Sequence, residues 1–406
     1  MPVGKEAPLH LKPIDGVRIG TAKAGIRQQE RDDVTVFEIS ESARVEAIFT
    51  KNVFCAAPVL VAKQHLSETD TGYLLVNSGN ANAGLGDEGL IAALTCCESL
   101  ARETNCKTNK VLPFSTGVIG ETLPVDKLVG SLPEAISNLS EDNWLAAAKA
   151  IMTTDTRSKG CSRSFELDGE TITITGIAKG SGMIRPDMAT MLAYIATDLP
   201  ISQNILKHCI KAASAVSFNA ITVDGDTSTN DAVVLMATGK ANVKEIETKG
   251  DERCEAFLVE LVHVFQHLSE AIVRDGEGAT KVITIEVEQA ISTKDAREVA
   301  YTVAQSPLVK TAFFASDPNW GRILAAVGRA PVKCLDVGKI DIFLGNVCIV
   351  KKGQRSSAYT EEAGTAVMSS EEITVRIVLA QGQCSASVLT CDLSYDYVKI
   401  NAEYRS

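Results

Sequence analysis

Strand-like and helix-like segments alternate along the whole chain, and this alternation limits the fold more than any other feature. Short β-branched segments bounded by turn residues predict strands at 34–39, 58–63, 72–77, 171–177, 282–287, 341–350 and 373–380. Longer segments predict helices at 89–103, 141–152, 202–216 and 254–275. In the last helix one apolar stripe is formed by Phe257, Leu261, Phe265, Leu268 and Ile272. Mixed strands and helices over the full length predict layered α/β or α+β packing.

The net charge of the chain limits the kinds of molecule that we expect it to bind. The chain of 406 residues carries 40 Lys and Arg against 51 Asp and Glu, a formal net charge of −11. Such a chain has no basic surplus for a nucleic-acid backbone, so we expect no nucleic-acid partner. No segment has the length and apolarity of a signal peptide or membrane span, and the 11 cysteines show no C-x-x-C spacing. We therefore expect a cytoplasmic protein with reduced cysteines and no membrane partner.

Two motifs suggest a cofactor or metal and are set aside. GLGDEG (84–89) matches G-x-G-x-x-G, but its loop is long, and Asp87 and Glu88 place negative charge where a pyrophosphate would bind. We interpret it as an acidic helix entry. His263 and His267 are four residues apart on a predicted helix, yet no acid lies between them and no third ligand is evident. We expect neither a metal nor another cofactor.

An apolar segment that ends in Asp224 is a third motif. ITVDGDTS (221–228) resembles the start of a Mg²⁺-dependent phosphohydrolase site of the haloacid dehalogenase type, where Asp224 would be the nucleophile. Such a site also needs a downstream acidic pair at a strand end, and Asp251 and Glu252 have no strand before them. The other interpretation is a tight turn in which these polar side chains bond their own backbone.

The stretch GSGMIRPDMATMLAYIATD (180–198) raises a chemical question about Thr190. This threonine is either a buried packing residue or a nucleophile whose base is its own α-amine, freed by cleavage of the preceding peptide bond. A free α-amine has a pKa of about 7.7–8.0, which suits a general base near neutral pH. Ala189 is small enough for the rearrangement that self-cleavage requires. The residues alone leave both interpretations open.

Blocks around this stretch and throughout the chain resemble the glutamate N-acetyltransferase/ornithine acetyltransferase family of arginine biosynthesis. These blocks are NSGNANA (77–83), STGVIG (115–120), TTDT (153–156), KGSGMI (179–184), MATML (188–192), TVDGDTSTND (222–231), DPNWGRI (317–323) and NAEYRS (401–406). They occur in one order from residue 77 to the last residue of the sequence, so coincidence is a poor explanation.

The resemblance implies a fold and a maturation step. The fold is a self-processing, N-terminal-nucleophile-like αββα sandwich with a second, smaller C-terminal domain. Cleavage between Ala189 and Thr190 gives an α chain of residues 1–189 and a β chain of residues 190–406 that fold together. The resemblance also implies an α2β2 heterotetramer of the cleaved chains.

The resemblance further implies a ping-pong acetyl transfer on Thr190. N-acetylornithine gives its acetyl group to Thr190 and leaves as ornithine, and glutamate then takes the acetyl group. Acetyl-CoA is a further donor in some members. Thr116 and Gly117 match the family's oxyanion hole. The matching substrate-binding positions are Thr153, Lys179, Thr190, Glu277, Asn401 and Ser406.

The chemistry of these residue types agrees with the implied roles. Lys179 can pair with a substrate carboxylate and, if close, lower the pKa of the Thr190 amine, and Glu277 can pair with a substrate ammonium. Asp187 stands where the family more often has Asn, and we expect it to change the rate of self-cleavage without abolishing it. A self-cleaving amidohydrolase or aminopeptidase is an alternative, because the same nucleophile can pass an acyl group to water. The phosphohydrolase that uses Asp224 is the other alternative.

Overall fold

The computed structural model describes residues 2–5, 8–27, 30–185 and 191–403. Its strands are β1 (Val17–Ala22), β2 (Val34–Ile39), β3 (Arg44–Phe49), β4 (Tyr73–Asn80), β5 (Val111–Val118), β6 (Lys159–Leu167), β7 (Glu170–Lys179), β8 (Leu192–Thr197), β9 (Ala232–Ala237), β10 (Val282–Ala290), β11 (Asp341–Leu344), β12 (Val347–Lys351), β13 (Gln354–Arg355), β14 (Glu372–Val378) and β15 (Cys384–Cys391).

The helices lie between these strands. They are α1 (Ala57–Glu68), α2 (Asp87–Glu103), α3 (Val125–Ser137), α4 (Trp144–Ala150), α5 (Gln203–Ala215), α6 (Glu252–Arg274), α7 (Thr293–Ala304), α8 (Pro307–Phe314), α9 (Trp320–Gly328), α10 (Glu361–Met368) and α11 (Tyr395–Ala402). Short 3₁₀ turns occur at Thr108–Lys110, Phe218–Ala220 and Val337–Lys339.

Two sheets pack face to face in the larger part of the molecule. One has the strand order β1-β2-β4-β5 and the other β3-β9-β8-β7-β6. Their inner faces share a core in which the Tyr194 ring lies 5.0 Å from that of Phe37 and 5.4 Å from that of Phe114, between centroids. Helices α2 and α3 cover the outer face of the first sheet, and α5 and α6 cover that of the second. The layers therefore follow the predicted αββα order.

The strand that follows residue 190 lies at the centre of this sandwich. β8 pairs with β7 on one side and with β9, in parallel, on the other. Leu192 and Tyr194 point into the core between the sheets, while Ala193 and Ile195 point toward α5 and α6. Because both faces are covered, every residue of β8 is buried, and all but Thr197 are aliphatic or aromatic.

A second core lies in the C-terminal part of the chain. Its six-stranded sheet has the order β13-β12-β11-β14-β10-β15, and α7 packs against β10 and β15. The side chains of this core come from residues 283–388 and are distinct from those of the sandwich cores. This is the second, smaller domain that the resemblance implied.

Two strand predictions are wrong in detail. Residues 58–63 were expected to form a strand but belong to α1, where Pro58 occupies the first turn and its missing N–H costs no hydrogen bond. The buried residues Pro58, Val61, Ala62 and His65 have helical spacing, which a six-residue window does not reveal. Residues 341–350 were expected to form one strand but contain the hairpin of β11 and β12. The other predicted strands and helices are confirmed, with shifts at their ends.

Helix α6 carries much of the sandwich core. All five residues of its predicted stripe are fully buried against the second sheet. Within the described part of the chain, α6 is also the helix whose length and composition would suit a membrane span. Its burial in the core accounts for its apolar composition.

Truncation of the α6 stripe should destabilise the sandwich. Leu261 is 0% exposed, whereas Val259 on the same helix is 54% exposed. We expect Leu261→Ala to lower the free energy of unfolding by about 2–5 kcal/mol, because it leaves a cavity in a packed core. Val259→Ala, the matched control, should change it by no more than about 0.5 kcal/mol. Urea unfolding followed by circular dichroism measures both, and equal losses would contradict the burial of the stripe.

Candidate active site

One cavity of about 210 Å³ collects the described residues that the sequence predicted for the site. Those that line it are Thr116, Gly117, Thr153, Lys179, Glu277 and Asn401. The remaining predicted residues, Ala189, Thr190 and Ser406, lie outside the described residues, as does Asp187. Side chains from positions 116 to 401 thus meet in one place, although no two of their segments are adjacent in sequence except Thr116 and Gly117.

The predicted oxyanion-hole residues lie at the end of a parallel strand pair. β4 and β5 run side by side until Gly79 and Gly117 are opposite each other. Gly117 has φ of +136°, and a Cβ there would lie 2.2 Å from the carbonyl carbon of Gly79 and 2.5 Å from the nitrogen of Asn80. Only glycine fits this close approach. The backbone of Thr116 and Gly117 is therefore held against β4 at the edge of the cavity.

Lys179, the last residue of β7, is buried beside Thr116. Its Nζ donates a hydrogen bond to Thr116 Oγ1 at 3.1 Å. Burial lowers the pKa of Lys179, and the opposing charges of Asp155, Asp231 and Glu277 counteract part of this effect. Lys179 thus brings a nitrogen donor to the wall of the cavity that Thr116 and Gly117 form.

A buried ion network lies behind Lys179. Asp155 Oδ1 accepts hydrogen bonds from Lys159 Nζ at 2.6 Å and from the backbone N–H of Gly180 at 2.7 Å. Lys159 Nζ also donates to Asp275 Oδ2 at 2.7 Å. Burial acts to raise the pKa of Asp155, but Lys159 and Lys179 outweigh it and hold that pKa below its usual range. Asp155 is therefore ionised and fixes the start of the segment 180–185, which follows β7 and is called the glycine-rich loop below.

Asp224 binds the same loop and is not placed as a phosphohydrolase nucleophile. Its carboxylate accepts hydrogen bonds from the backbone N–H groups of Met183 at 2.6 Å and Ile184 at 2.9 Å. Burial raises the pKa of Asp224, and these backbone donors oppose that rise. The phosphohydrolase prediction is wrong here because the carboxylate is engaged by the loop that leads to residue 190. Asp224 and Asp155 hold the two ends of the described loop.

Glu277 supplies the negative charge of the cavity. It is buried, and its Oε2 accepts a hydrogen bond from Asn401 Nδ2 at 2.7 Å. Its backbone N–H donates to the carbonyl of Ser181 at 2.9 Å, so its position is tied to the glycine-rich loop. A Cβ at Gly182 would lie 2.4 Å from the Glu277 carboxyl carbon, which makes Gly182 the neighbour that leaves room for this carboxylate. A buried carboxylate in this position suits a substrate ammonium.

Asp231 is a cavity neighbour that the sequence interpretation did not single out. It is 4% exposed, and its Oδ2 has no hydrogen-bond partner among the described residues. Burial raises the pKa of Asp231, and the charge of Lys179 opposes this rise. Ala232 N donates to Met191 O at 2.8 Å, so Asp231 lies level with the residue that follows Thr190. The sequence feature that points to Asp231 is its place at the end of the block 222–231, which also contains Asp224.

Asn230 is a second residue that was missed. Its Nδ2 donates to the backbone oxygens of Ala81 at 2.6 Å and Ser115 at 2.9 Å. The Asn230 side chain, two residues before β9, therefore joins that loop to Ala81, which follows β4, and to Ser115 in β5. This fixes the wall of the cavity on which Thr116 lies.

The chain is similar over nearly its whole length to proteins of arginine biosynthesis. The model of the ArgJ family matches residues 18–406. The arginine biosynthesis bifunctional protein ArgJ of Pseudomonas syringae pv. tomato is 55% identical over 396 residues, which cover 98% of each chain. The protein of the same description from Methylococcus capsulatus is 56% identical over 398 residues, covering 98% of this chain and 97% of that one.

A solved structure is similar as well. It is the crystal structure of the arginine biosynthesis bifunctional protein from Bacillus halodurans, which is 38% identical with a TM-score of 0.51. The match covers 53% of this chain and 100% of that chain.

Removal of the Asp155 charge should destabilise the fold in a pH-dependent way. We expect Asp155→Asn to lower the free energy of unfolding at pH 7 by about 3–5 kcal/mol, because Lys159 loses one of two buried partners. The pKa of Asp155 is lower in the folded state than its unfolded value of about 3.9. Its contribution is thus present above about pH 4 and is lost as the pH falls toward the folded-state value.

Urea unfolding of both proteins between pH 7 and pH 3 measures this. The difference in the free energy of unfolding between Asp155→Asn and wild type should become smaller below about pH 4. Asp168→Asn is the matched control, since Asp168 pairs with Arg253 at the surface, with half of its side chain exposed. A constant gap over the whole range would contradict the assigned ionisation.

Proposed function

The chain belongs to the ArgJ family and is an acyltransferase of arginine biosynthesis, and we propose that it moves an acetyl group from N-acetylornithine to glutamate through an acetyl-enzyme on Thr190. The observation that carries this proposal is the meeting of Thr116, Gly117, Lys179 and Glu277 in one cavity. That cavity adjoins the loop that leads to residue 190, and β8 begins just after it.

We propose first that the chain cleaves itself between Ala189 and Thr190. The Thr190 hydroxyl attacks the Ala189 carbonyl carbon, the C–N bond breaks, and water hydrolyses the resulting ester. Asp155 and Asp224 anchor the loop before this bond, and β8 anchors the segment after it. The β chain would hold 217 of 406 residues, or 53%, which equals the share of this chain matched by the complete solved chain from Bacillus halodurans.

In the first half-reaction the free α-amine of Thr190 takes the proton of its own hydroxyl. The oxygen attacks the acetyl carbonyl carbon of N-acetylornithine, and the negative charge that develops on the carbonyl oxygen is stabilised by Thr116 and the backbone of Gly117. The C–N bond then breaks, and ornithine leaves after taking the proton from the α-amine. Glu277 pairs with the side-chain ammonium of ornithine, and Lys179 pairs with the α-carboxylate.

In the second half-reaction the amine of glutamate attacks the acetyl-enzyme. Its proton passes to the Thr190 α-amine and then to the Thr190 oxygen as the ester bond breaks. N-acetylglutamate leaves, and the enzyme returns to its starting state. Thr153, Asn401 and Ser406 complete the proposed substrate contacts.

Three further features are part of the proposal. Acetyl-CoA loads the same Thr190 oxygen as a second donor, in keeping with the description of the relatives as bifunctional. The cleaved chains assemble as an α2β2 heterotetramer. The cytoplasm, as the place of the reaction, stays a prediction.

The alternative functions considered from the sequence are wrong. Membership of the ArgJ family over residues 18–406 overturns both the amidohydrolase or aminopeptidase and the phosphohydrolase interpretations. Three relatives that each match 98% of this chain are described as arginine biosynthesis bifunctional proteins.

Cleavage can be tested directly by denaturing mass spectrometry. We expect two chains, of 189 and 217 residues, the second beginning at Thr190. Thr190→Ala should remain one chain and lose acetyl transfer, because both steps need the hydroxyl oxygen. Thr171→Ala, which removes an exposed hydroxyl of β7, should cleave and react as wild type. A fully active intact chain would disprove the maturation step.

The role of Glu277 can be tested by its neutral isostere. Glu277→Gln retains an oxygen that can accept the Asn401 hydrogen bond but loses the negative charge. We expect the KM for N-acetylornithine to rise about tenfold or more, since a buried charge pair with the ammonium is lost. The KM for glutamate should not rise, as glutamate carries no side-chain ammonium. Steady-state kinetics with each substrate varied decides this, and an equal rise for both would assign Glu277 to a shared contact.

A further inference from the structure

A second cavity adjoins the catalytic one. Its volume is about 240 Å³, and it shares Gly117, Val118, Thr153 and Thr154 with the cavity that holds Lys179 and Glu277. The two cavities therefore adjoin at Gly117 and at the segment of Thr153 and Thr154. Neither the family resemblance nor the site built from it assigns a role to this space.

Two arginines, Arg27 and Arg31, line this second cavity together with one acidic residue, Asp33. The Nη2 of Arg31 donates a hydrogen bond to the carbonyl of Met152, the residue before Thr153. This contact attaches Arg31 to the segment that separates the two cavities.

The segment that carries Arg27 is held by a buried carboxylate. Asp33 is 4% exposed and accepts hydrogen bonds from the backbone N–H groups of Ala24 at 2.7 Å and Ile26 at 2.6 Å. A Cβ at Gly79 would lie 3.0 Å from the Cβ of Arg27, so this part of the segment packs closely on the end of β4. The two arginines are thus placed by specific contacts beside the strand pair that forms the oxyanion hole.

The substrates of the proposed reaction set a charge problem that the catalytic cavity does not solve. The side chain of N-acetylornithine ends in an ammonium, which the buried Glu277 suits. Glutamate ends in a carboxylate at a similar distance, and acetyl-CoA carries phosphates. Glu277 repels such an anion strongly, because like charges interact at low effective dielectric in a buried site. An anionic substrate group needs a cation on another wall.

We propose that Arg27 and Arg31 form an anion subsite for a substrate group that N-acetylornithine lacks. That group is the γ-carboxylate of glutamate or a phosphate of acetyl-CoA. Guanidinium groups suit both, because their planar N–H pairs match the oxygens of carboxylates and phosphates. This subsite rests on the proposed function, since it assumes that one acetyl-enzyme serves all three substrates.

The test uses three reactions of the full-length protein. Exchange of labelled ornithine into N-acetylornithine involves neither a γ-carboxylate nor a phosphate. Transfer from N-acetylornithine to glutamate adds the γ-carboxylate, and transfer from acetyl-CoA to glutamate adds the phosphates. Arg27→Gln, Arg31→Gln and the double variant are compared with wild type in each reaction.

We expect the exchange to proceed at the wild-type rate in the single variants. If the subsite binds the γ-carboxylate, the KM for glutamate rises about tenfold or more with either donor. If it binds a phosphate, only the KM for acetyl-CoA rises by that amount. Arg31→Lys should restore part of the loss, since it returns the charge but not the paired N–H groups.

Glutamine as acceptor gives a readout that a structural role would not change. Where the γ-carboxylate is bound, the preference for glutamate over glutamine should fall in the arginine variants. Arg18→Gln is the matched control: Arg18 pairs with Glu38 at the surface on β1 and lines neither cavity.

Two outcomes would overturn the anion subsite. One is an unchanged KM for both glutamate and acetyl-CoA in the double variant. The other is a loss of ornithine exchange in step with the two transfers, which would indicate a general effect on the site. Failure of the proposed function itself would give a different result, because the exchange of labelled ornithine would then persist in the Thr190→Ala variant.

Discussion

The ionised, buried carboxylate of Asp155 is the interaction on which the site depends. It joins the segment 153–156 to the start of β6 through Lys159 and to the residue after β7 through the N–H of Gly180. Lys159 extends the same network to Asp275, which ends α6 two residues before Glu277. Because a buried charge is tolerated only when its partners are in place, the network sets the relative positions of three segments that line the cavity.

The sandwich provides the rigidity that the site needs. β8 is buried on both faces and paired on both sides, so the segment that follows Thr190 has little freedom. The parallel pair of β4 and β5 ends at two glycines in contact, which brings the backbone of Gly117 to the cavity edge. The catalysis proposed for Thr190 depends on such fixed geometry, because the amine, the hydroxyl and the proposed oxyanion donors must converge on one carbonyl.

Opposite charges share the small space beside this framework. Lys179 and Glu277 lie in one cavity, Asp231 lies close behind, and the two arginines lie in the adjoining cavity. This mixture is understandable for an enzyme whose proposed donor and acceptor end in opposite charges. In this proposal each substrate side chain is matched by a different wall of the two cavities, while the acetyl carbonyl stays at the proposed oxyanion donors Thr116 and Gly117.

The sequence by itself determined the layered fold class and most of its strands and helices. It also indicated those cavity residues that lie within the blocks resembling the family. Strand alternation and helical periodicity are local patterns, and each block is a contiguous stretch of sequence. Both kinds of feature can therefore be recognised before the fold is known. α1 was mistaken for a strand because the short segment 58–63, apolar except for Lys63, does not show a period, and its burial against β5 decided the outcome. Only the tertiary structure decided that Lys159 meets Asp275, that Asp231 lies level with Met191, and that Arg27 and Arg31 line a second cavity. These are contacts between segments that are far apart in the chain, and no local pattern records which buried charges will be neighbours.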